Sequence, residues 1–498
     1  MDYPKQFSLG SRPLNQLSGW KHCQLRDWWL SVARDVSVLN VFDERGELLS
    51  LIIGWVIFRG RLLHDGDSIT AGMIEHGAPD IFDELCGRFV CFSLRGEEVL
   101  VRTDPAAMMG VVYNAGQQIL ASSPTILSLF EEQQPDPEVR QALAGGKGEV
   151  WFPLCLTPYL GVRRLLPNHA LALNSWTAKR VFPLPGGTGR HGDPCIEPEK
   201  AIARLGDILR SNIKALLDDG HRVAQLTGGR DSRIVLAASR EWHQQMQFQT
   251  VVLDQYSCRL DCHIAADIAE RFDLNYRQIP FIQPSREELG GWLHRVGHCV
   301  EDTVASMCTT ARVHDSQSHE LTGTCGEALR APYWYSSDAN LGSLSAEGLL
   351  NRMGIVTNPY TVSLAQKWLA GLPEGMSVGN VLQFAYAEIR AACWAGPTLY
   401  GHKLSLPSIS PFNCGQYYRE ILAIPESYRG DKKVIPALLD YLWPELGEIP
   451  FNRARGIDKL RFLRQELRLS MPIPMRDKIK RLIQPLRLYR NPLRRYLT

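Results

Sequence analysis

The sequence predicts a two-domain protein in which a layered, strand-rich α+β domain precedes an α/β domain with a parallel sheet. The chain has 498 residues, which is more than one hydrophobic core usually serves. In residues 1 to about 130, strand signals and short polar turns recur roughly every 8–12 residues, as is typical of layered β domains. After Glu197, strand and helix signals alternate instead, and this order is typical of a parallel sheet.

The N-terminal strands follow from short apolar runs bounded by turn residues. They are predicted at Val36–Phe42, Leu49–Phe58, Phe89–Leu94, Val99–Thr103 and Ala170–Leu173. The most apolar of them, around Ile52 and Ile53, is about half as long as a membrane span, so it is interpreted as a buried strand. The Gly- and Pro-rich stretch Pro183–Asp193 predicts a linker. We therefore assign the first domain to residues 1–185.

The second domain is predicted at residues 197–470 from alternating periodicities. Its predicted elements are a helix at Ala201–Leu217, a strand at Arg222–Leu226, a helix opening at Ile234–Ser239, a strand at Phe248–Leu253 and a helix at Asp261–Phe272, and the region from about Phe384 to Glu466 is expected to be largely helical. The remaining residues, 471–498, form a basic tail. That tail is either a helix for a membrane surface or partner, or a helix packed on the domain with a solvated face.

Composition indicates an ordinary globular protein, with 45% hydrophobic and 22% charged residues and a net charge of +2. This charge gives no reason to expect nucleic acid as a partner. The 12 cysteines are scattered singly, which favours free thiols and a reducing compartment over a disulfide framework. Cys258, Cys262 and His263 have the spacing of half a zinc site but are interpreted as one helix face. With no signal peptide and no transmembrane segment expected, we predict a cytoplasmic enzyme.

The strongest chemical signal is the run Leu226-Thr227-Gly228-Gly229-Arg230-Asp231-Ser232-Arg233. A strand ends there, two glycines let backbone N–H groups turn inward, and a helix N-terminus follows, which together attract an anion. Ser232 adds a hydroxyl, and Asp231 is suited to hold Mg²⁺ beside phosphate oxygens. The run is not a Walker loop, because no Gly-Lys-Ser/Thr follows at the required spacing. The plainer alternative is a Gly-Gly turn between a strand and a helix.

This run resembles the pyrophosphate loop of the ATP pyrophosphatases, whose signature is Ser-Gly-Gly-x-Asp-Ser, with Thr227 replacing the first serine. Three further stretches, residues 85–92 (with 102–105 and 121–123), 157–169 and 321–327, resemble the asparagine synthetase and β-lactam synthetase superfamily, which includes lasso-peptide macrolactam cyclases. The resemblance covers roughly residues 40 to 460. It implies a glutaminase-like (Ntn-type) layered N-terminal domain and a C-terminal ATP-pyrophosphatase domain, which is an adenine nucleotide α-hydrolase-like α/β fold.

The resemblance also implies a reaction. A carboxylate attacks the α-phosphate of ATP, pyrophosphate leaves, and an amine then attacks the acyl-adenylate and releases AMP. By position, Asp231 and Glu327 are expected to bind Mg²⁺. The residues expected to bind ATP are Leu226, Thr227, Gly228, Gly229, Asp231, Ser232 and Gly323. The expected substrates are a small-molecule or peptide carboxylate and an amine.

Three departures from the family pattern limit this expectation. The glutaminase nucleophile is a cysteine directly after Met1, where this chain has Asp2, and Cys23 is internal, so we expect no glutamine hydrolysis. Thr324 stands where the family often has Glu or Tyr, and threonine is a poor base. Glu388 is a candidate acid/base group, with a surface helix carboxylate as the alternative. Arg453 or Arg455 is expected to supply the positive charge for which the family uses a lysine.

Several alternatives stay open at the level of sequence. Arg230 and Arg233 either add charge beside the phosphates or pair structurally with Asp231 and Glu327. The aromatic residues that follow Arg330, namely Tyr333, Trp334 and Tyr335, either line an acceptor pocket or pack. The main functional hypothesis is an ATP-dependent, AMP-forming amide ligase whose product is a macrolactam or another amide, with a precursor peptide or protease as a candidate partner. The alternatives are a non-catalytic nucleotide- or peptide-binding scaffold and a glutamine-independent, asparagine-synthetase-like enzyme.

Overall fold

The computed structural model describes residues 3–73, 81–144, 151–184, 197–220, 222–253, 256–300, 320–401 and 408–452. Internal contacts divide the chain into a unit Met1–Ile449 and a second unit Pro450–Thr498. The first unit is an α+β structure that contains both antiparallel sheets and a parallel sheet. Most of the predicted linker, the basic tail 471–498, and Arg453 and Arg455 lie outside the described residues.

Two largely antiparallel sheets are built from the N-terminal strands. Their bounds are β1 Phe7–Gly10, β2 Lys21–Leu25, β3 Trp28–Val32, β4 Val38–Phe42, β5 Leu48–Phe58, β6 Arg61–Leu63, β7 Ser68–Thr70, β8 Leu85–Arg95, β9 Glu98–Thr103, β10 Val111–Asn114, β11 Ile119–Ala121, β12 Val162–Leu165, β13 His169–Ala172 and β14 Thr177–Arg180. The first sheet has the order β12-β10-β11-β1-β3-β2. The second has the order β14-β13-β9-β8-β5-β4-β7, with β6 on β5. The five strands predicted in this region are confirmed as β4, β5, β8, β9 and β13.

The long pair β5 and β8 forms the centre of the second sheet, because most of its residues are apolar and buried. Two glycines with positive φ allow these strands to approach closely. A Cβ on Gly54 would lie 2.2 Å from the carbonyl oxygen of Arg88, and a Cβ on Gly87 would lie 2.2 Å from that of Trp55. The pairing of β5 with β8 therefore requires glycine at both positions.

The helix Pro198–Asp218 has apolar residues that recur at helical spacing and are buried, and it contacts the helices Asp231–Ala238, Gly415–Ala423 and Val434–Leu442. This helix confirms the prediction for Ala201–Leu217. The other α-helices are Pro124–Leu127, Pro137–Leu143, Asp231–Ala238, Tyr256–Arg271, Arg286–Arg295, Ala346–Met353, Pro359–Ala370, Val378–Ala385, Gly396–Gly401, Gly415–Ala423, Glu426–Gly430, Val434–Leu442 and Pro444–Gly447, and a π-helix spans Tyr386–Ala395. Short 3₁₀ helices lie at Ala71–Met73, Ile81–Asp83, His243–Gln245, Gly326–Arg330 and Ser336–Asn340.

The third sheet is parallel, as the alternation of strands and helices predicts. Its strands are β15 Val223–Gln225, β16 Gln247–Val252, β17 Tyr276–Pro280, β18 Glu320–Leu321 and β19 Ser408–Ile409, in the order β17-β16-β15-β18-β19. The chain first builds outward from β15 to β16 and β17, and then returns to the other side of β15 with β18. The strand order therefore reverses between β15 and β18, and loops that diverge at such a point leave a crevice at the carboxyl ends of the strands.

Two further predictions concern the cysteine and histidine residues near Cys258 and the absence of a transmembrane helix. Cys258, Cys262 and His263 lie on the helix Tyr256–Arg271, as predicted. Among the described residues, no helix has both the length and the apolar character that a membrane crossing requires.

Candidate functional site

Two loops leave the sheet on either side of the crevice, namely the glycine loop, residues 226–233, and the acidic loop, residues 321–327. β15 ends at Gln225, and the helix that follows the glycine loop begins at Asp231. β18 ends at Leu321, and the short 3₁₀ helix Gly326–Arg330 follows it. Since both loops follow the carboxyl ends of neighbouring parallel strands, they are in the position where open α/β sheets bind ligands.

The glycine loop is held in shape by its own side chains. The Thr227 amide donates to the Ser232 hydroxyl at 3.0 Å, and the Gly229 amide donates to the Thr227 hydroxyl at 3.1 Å. The Gly228 amide donates to Asp261 Oδ1 at 2.9 Å. A Cβ on Gly228 would lie 2.7 Å from Ile264 Cδ1 and 3.1 Å from Asp261 Oδ1, so a larger residue there would press against the helix Tyr256–Arg271. The loop is thus preshaped, and its first three amides already have protein acceptors.

The two acidic residues of the predicted metal site meet through an arginine. Arg330 Nη2 donates to Asp231 Oδ2 at 2.9 Å and to Glu327 Oε1 at 2.6 Å. The residue that bridges the two carboxylates is therefore Arg330. The buried Arg233 donates to the carbonyl oxygens of Gly228 and Ile449 instead, which ties the glycine loop to a distant segment.

Glycines in the acidic loop allow it to pack directly against Asp231. A Cβ on Gly323 would lie 3.1 Å from Asp231 Cβ and 3.2 Å from the Ser232 amide nitrogen. A Cβ on Gly326 would lie 2.9 Å from Asp231 Cβ and 3.3 Å from its Oδ1. Both positions lie against the start of the helix, so any side chain there would push the two loops apart.

Burial controls the electrostatics of Asp231. Loss of solvent raises the pKa of its carboxyl to about 6; Arg330 and Arg230 lower that pKa, and Glu327 raises it. The Asp231 side chain is 22% exposed and that of Glu327 is 48% exposed. Asp231 Oδ1 is buried and has no hydrogen-bond partner among the described residues. The site therefore offers one unused buried carboxylate oxygen next to a second, accessible carboxylate.

These donors fit a magnesium ion that takes most of its ligands from phosphates and water. Mg²⁺ is usually bound by one or two carboxylates together with substrate phosphates, and dedicated protein cages for it are uncommon. In the described part of the chain, no group of three or more His, Cys, Asp or Glu side chains is arranged to hold a metal. Asp231 and Glu327 are accordingly the residues that would hold the ion.

Glu388 lies elsewhere and has a structural environment. Its carboxylate accepts two hydrogen bonds from Arg180, both at 2.7 Å, one from Asn168 at 2.9 Å and one from Trp368 at 2.8 Å. The alternative of a surface helix carboxylate is wrong, because the Glu388 side chain is fully buried within the π-helix Tyr386–Ala395. Its four acceptor positions are filled by these groups, which leaves none for a substrate proton.

Below the acidic loop lies a group of buried hydroxyls that the sequence did not reveal. Burial raises the pKa values of Tyr386, Tyr417 and Tyr418 well above their ordinary range. The neighbouring Cys325 raises these pKa values further. Thr324 is bonded to Thr322, hydroxyl to hydroxyl, at 2.8 Å. The tyrosines are therefore neutral donors rather than bases, and the described residues supply no obvious base at the position of Thr324.

The aromatic residues that follow Arg330 pack rather than form an open pocket. Tyr333 and Trp334 lie against the helical core that includes Leu349 and Leu382. Tyr335 has the guanidinium of Arg352 over its ring at 4.7 Å.

An open pocket of about 490 Å³ lies at the carboxyl ends of β16 and β17, next along the sheet from the glycine loop. Its lining residues are Val252, Leu253, Arg259, Gln278, Pro280 and Phe281. Its walls combine apolar side chains with the amide of Gln278 and the guanidinium of Arg259.

No protein-family model matches the chain, and no curated protein is detectably similar to it. The function is therefore inferred from the residues and their geometry.

Proposed function

We propose that this chain is an ATP-dependent, AMP-forming amide-bond synthetase of the asparagine synthetase and β-lactam synthetase superfamily, and that it works without glutamine hydrolysis. The observation that carries the proposal is the contact of one Arg330 nitrogen with both Asp231 and Glu327. Because of this contact, two acidic residues from separate loops meet beside a glycine loop at the carboxyl end of a parallel sheet.

The fold agrees with this proposal at the level of its sheets. Antiparallel N-terminal sheets followed by a parallel sheet fit a glutaminase-like (Ntn-type) layered domain at residues 1–185 and an ATP-pyrophosphatase domain at 197–470. In that arrangement the triphosphate of ATP lies between the glycine loop and the acidic loop, at the positive end of the helix Asp231–Ala238. The pocket that Gln278 and Phe281 line, next along the sheet, is the place proposed for the adenine base.

The reaction follows from this placement. A carboxylate of the substrate attacks the α-phosphorus, the bond to the bridging oxygen breaks, and pyrophosphate leaves. An amine then attacks the acyl carbon and releases a proton to solvent, and AMP leaves with the electron pair of the broken acyl–oxygen bond. Mg²⁺, when bound, would neutralise negative charge on the phosphates. Asp231 and Glu327 would hold that ion, and the shaped loop would fix the phosphates so that little reorganisation is needed.

The N-terminal region supports an amine source other than glutamine. Residues Tyr3 to Gln6, which precede β1, contain no thiol. Cys23 lies on β2, and burial raises the pKa of its thiol. A protonated thiol is a weak nucleophile. The proposed amine is therefore part of the substrate, as in macrolactam formation on a peptide, or comes from free solution.

The test is ATP–pyrophosphate exchange with Mg²⁺ and a panel of carboxylates that includes aspartate and peptides with acidic side chains. Exchange with at least one carboxylate is expected, and Asp231→Ala should reduce it by at least about a hundredfold because it removes a metal ligand. Asp218→Ala is the matched control, since Asp218 is an exposed aspartate paired with Lys214. Exchange that persists in Asp231→Ala would contradict the metal assignment. Exchange with aspartate alone would favour the asparagine-synthetase-like alternative.

A second candidate is a scaffold that binds nucleotide without catalysis. It is favoured by the loop amides of Thr227, Gly228 and Gly229, which already have protein acceptors. Binding of the unreactive analogue α,β-methylene-ATP without exchange on any carboxylate would favour this candidate. Exchange on any carboxylate would exclude it.

A further inference from the structure

Arg330 occupies the place between the two carboxylates that a shared divalent ion would need. Its Nη2 atom lies 2.9 Å from Asp231 Oδ2 and 2.6 Å from Glu327 Oε1. An Mg²⁺ ion bonds carboxylate oxygens at about 2.0–2.1 Å. An ion that takes the same two oxygens must displace the guanidinium from them, so the ion and this arginine contact compete for Asp231 Oδ2 and Glu327 Oε1.

The contact also balances the negative charge of the two carboxylates. Two converging carboxylates repel each other, and a cation between them removes that repulsion. Arg330 and Glu327 lie three residues apart on the same 3₁₀ helix, while Asp231 comes from the other loop. The positive charge of Arg330 therefore balances one carboxylate from each loop, as the charge of a shared metal ion would.

We infer that Arg330 is a built-in counter-ion that competes with divalent metal for Asp231 and Glu327, so that metal binds tightly only together with a polyphosphate that accepts the displaced guanidinium. This inference rests on the proposed function in taking ATP as that polyphosphate. The residue couples metal binding to nucleotide binding and keeps the site closed to metal alone.

The unused hydrogen-bonding groups agree with such an exchange. Arg330 Nε is buried and has no partner among the described residues, and the same is true of Asp231 Oδ1. A guanidinium binds phosphate oxygens through two N–H groups at once. When a phosphate enters, Nε and a terminal nitrogen of Arg330 can both bond to it, while the metal takes the oxygens that Arg330 leaves.

Linkage gives this competition a measurable form. Whatever raises the affinity for metal in the presence of nucleotide must raise the affinity for nucleotide in the presence of metal by the same factor. Arg330→Gln removes the competing charge. It should therefore tighten the binding of metal alone and weaken the cooperation between metal and nucleotide. Arg330→Lys keeps the charge but not the two-pronged geometry, so it should fall between the two.

The experiment measures Mn²⁺ binding by the electron paramagnetic resonance signal of the free ion, in the full-length protein, with and without α,β-methylene-ATP. Wild-type protein should bind Mn²⁺ weakly alone and at least about fivefold more tightly with the analogue, within the usual range of coupling. Arg330→Gln should bind Mn²⁺ alone about five- to a hundredfold more tightly than wild type, with little further gain from the analogue. The matched control is Arg204→Gln, because Arg204 is also a partly exposed arginine that is paired with a glutamate, Glu420.

Unchanged or weaker Mn²⁺ binding by both folded Arg330 variants would overturn the inference, and so would equal cooperation in Arg330→Gln and wild type. Thermal unfolding checks that each variant is folded, and the lysine variant tests the idea if the glutamine variant is not. Failure of the proposed function looks different. If no carboxylate supports exchange but Arg330→Gln still gains Mn²⁺ affinity, the competition stands and the ligase proposal falls.

Discussion

Arg180 and Glu388 form a buried, two-pronged ion pair that joins the end of β14 to the π-helix of the C-terminal half. Each oxygen of Glu388 accepts a hydrogen bond of 2.7 Å, one from each terminal nitrogen of Arg180. The two side chains are 6% and 0% exposed, so the charges are shielded from water. Such a pair fixes geometry strongly, because either charge left alone in the interior is costly.

Removing one member of this pair should destabilise the protein. Arg180→Ala is expected to lower the free energy of unfolding by about 3–5 kcal/mol, since it leaves the Glu388 carboxylate buried without its counter-ion. Urea unfolding followed by tryptophan fluorescence measures the change. Arg61→Ala is the control, because Arg61 pairs with Asp67 but is 69% exposed, and an exposed pair contributes at most about 1 kcal/mol. Equal midpoints for the two variants would show that the buried pair contributes little.

The packing of the acidic loop on Asp231 predicts a specific effect of a single methyl group. Gly326→Ala would bring its Cβ to 2.9 Å from Asp231 Cβ, so the loops must separate and the two carboxylates can no longer share one ion. We expect nucleotide binding in the presence of Mg²⁺ to weaken by about tenfold or more, in line with the sensitivity of sites to misplacement of about 1 Å. Calorimetric titration with α,β-methylene-ATP measures this. Gly342→Ala is the control, because nothing lies within 4 Å of the added Cβ; similar affinities in both variants would argue against the tight loop contact.

The contact between Asp261 and the glycine loop predicts opposite effects of two substitutions. Asp261 Oδ1 accepts the Gly228 amide at 2.9 Å, and burial raises the pKa of this carboxyl. Asp261→Asn keeps an acceptor oxygen but removes a negative charge from beside the phosphates, so it should tighten the binding of metal-free ATP several-fold. Asp261→Ala leaves the loop amide without its acceptor, so the loop should lose its shape and bind ATP more weakly. A shift of ATP affinity in the same direction in both variants would show that the charge of Asp261 and the shape of the loop do not act separately.

The sequence predicted those parts of the molecule that depend on neighbouring residues. The apolar runs of β5 and β8 and the helical spacing in Pro198–Asp218 are local patterns, so their elements were found within a few residues of their observed ends. The order of strands and helices likewise predicted the parallel sheet. A strand, two glycines and a helix start were enough to single out the loop at Gly228.

The missing parts depend on residues that are far apart in the chain. Asp261 is 33 residues from Gly228, Arg330 is 99 residues from Asp231, and Arg180 is 208 residues from Glu388. No local pattern reports which of several arginines will reach a given carboxylate. The sequence therefore indicates Arg230 and Arg233, the neighbours of Asp231, as its partners and does not indicate Arg330. The spacing of Glu327 and Arg330, three residues apart, was the available signal, because side chains at this spacing meet on one helix face.

The raised pKa of Asp231 predicts two pH dependences of opposite sign. Burial shifts the pKa of this carboxyl from 3.8 to about 6. Below pH 3.8 the carboxyl is protonated in both the folded and unfolded states and contributes nothing. Between pH 3.8 and about 6 the unfolded state releases the proton first, so stability falls as pH rises, and the cost is constant above about pH 6. Asp231→Asn removes this cost. It should be more stable than wild type by about 1–3 kcal/mol above pH 6 and equal to it near pH 3.8.

The affinity for metal should rise as the pH rises, because only the ionised carboxylate of Asp231 binds the ion. Wild-type affinity for Mn²⁺ with α,β-methylene-ATP is therefore expected to fall about tenfold per pH unit below pH 6, and Asp231→Asn should bind weakly at every pH. Urea unfolding and Mn²⁺ titration at pH 4, 5, 6, 7 and 8 test both dependences on the same protein. A stability difference that does not vary with pH would contradict the raised pKa. Mn²⁺ binding that does not change between pH 5 and pH 7 would show that Asp231 is not the ligand, because the ion would then be held by groups that stay ionised throughout this range.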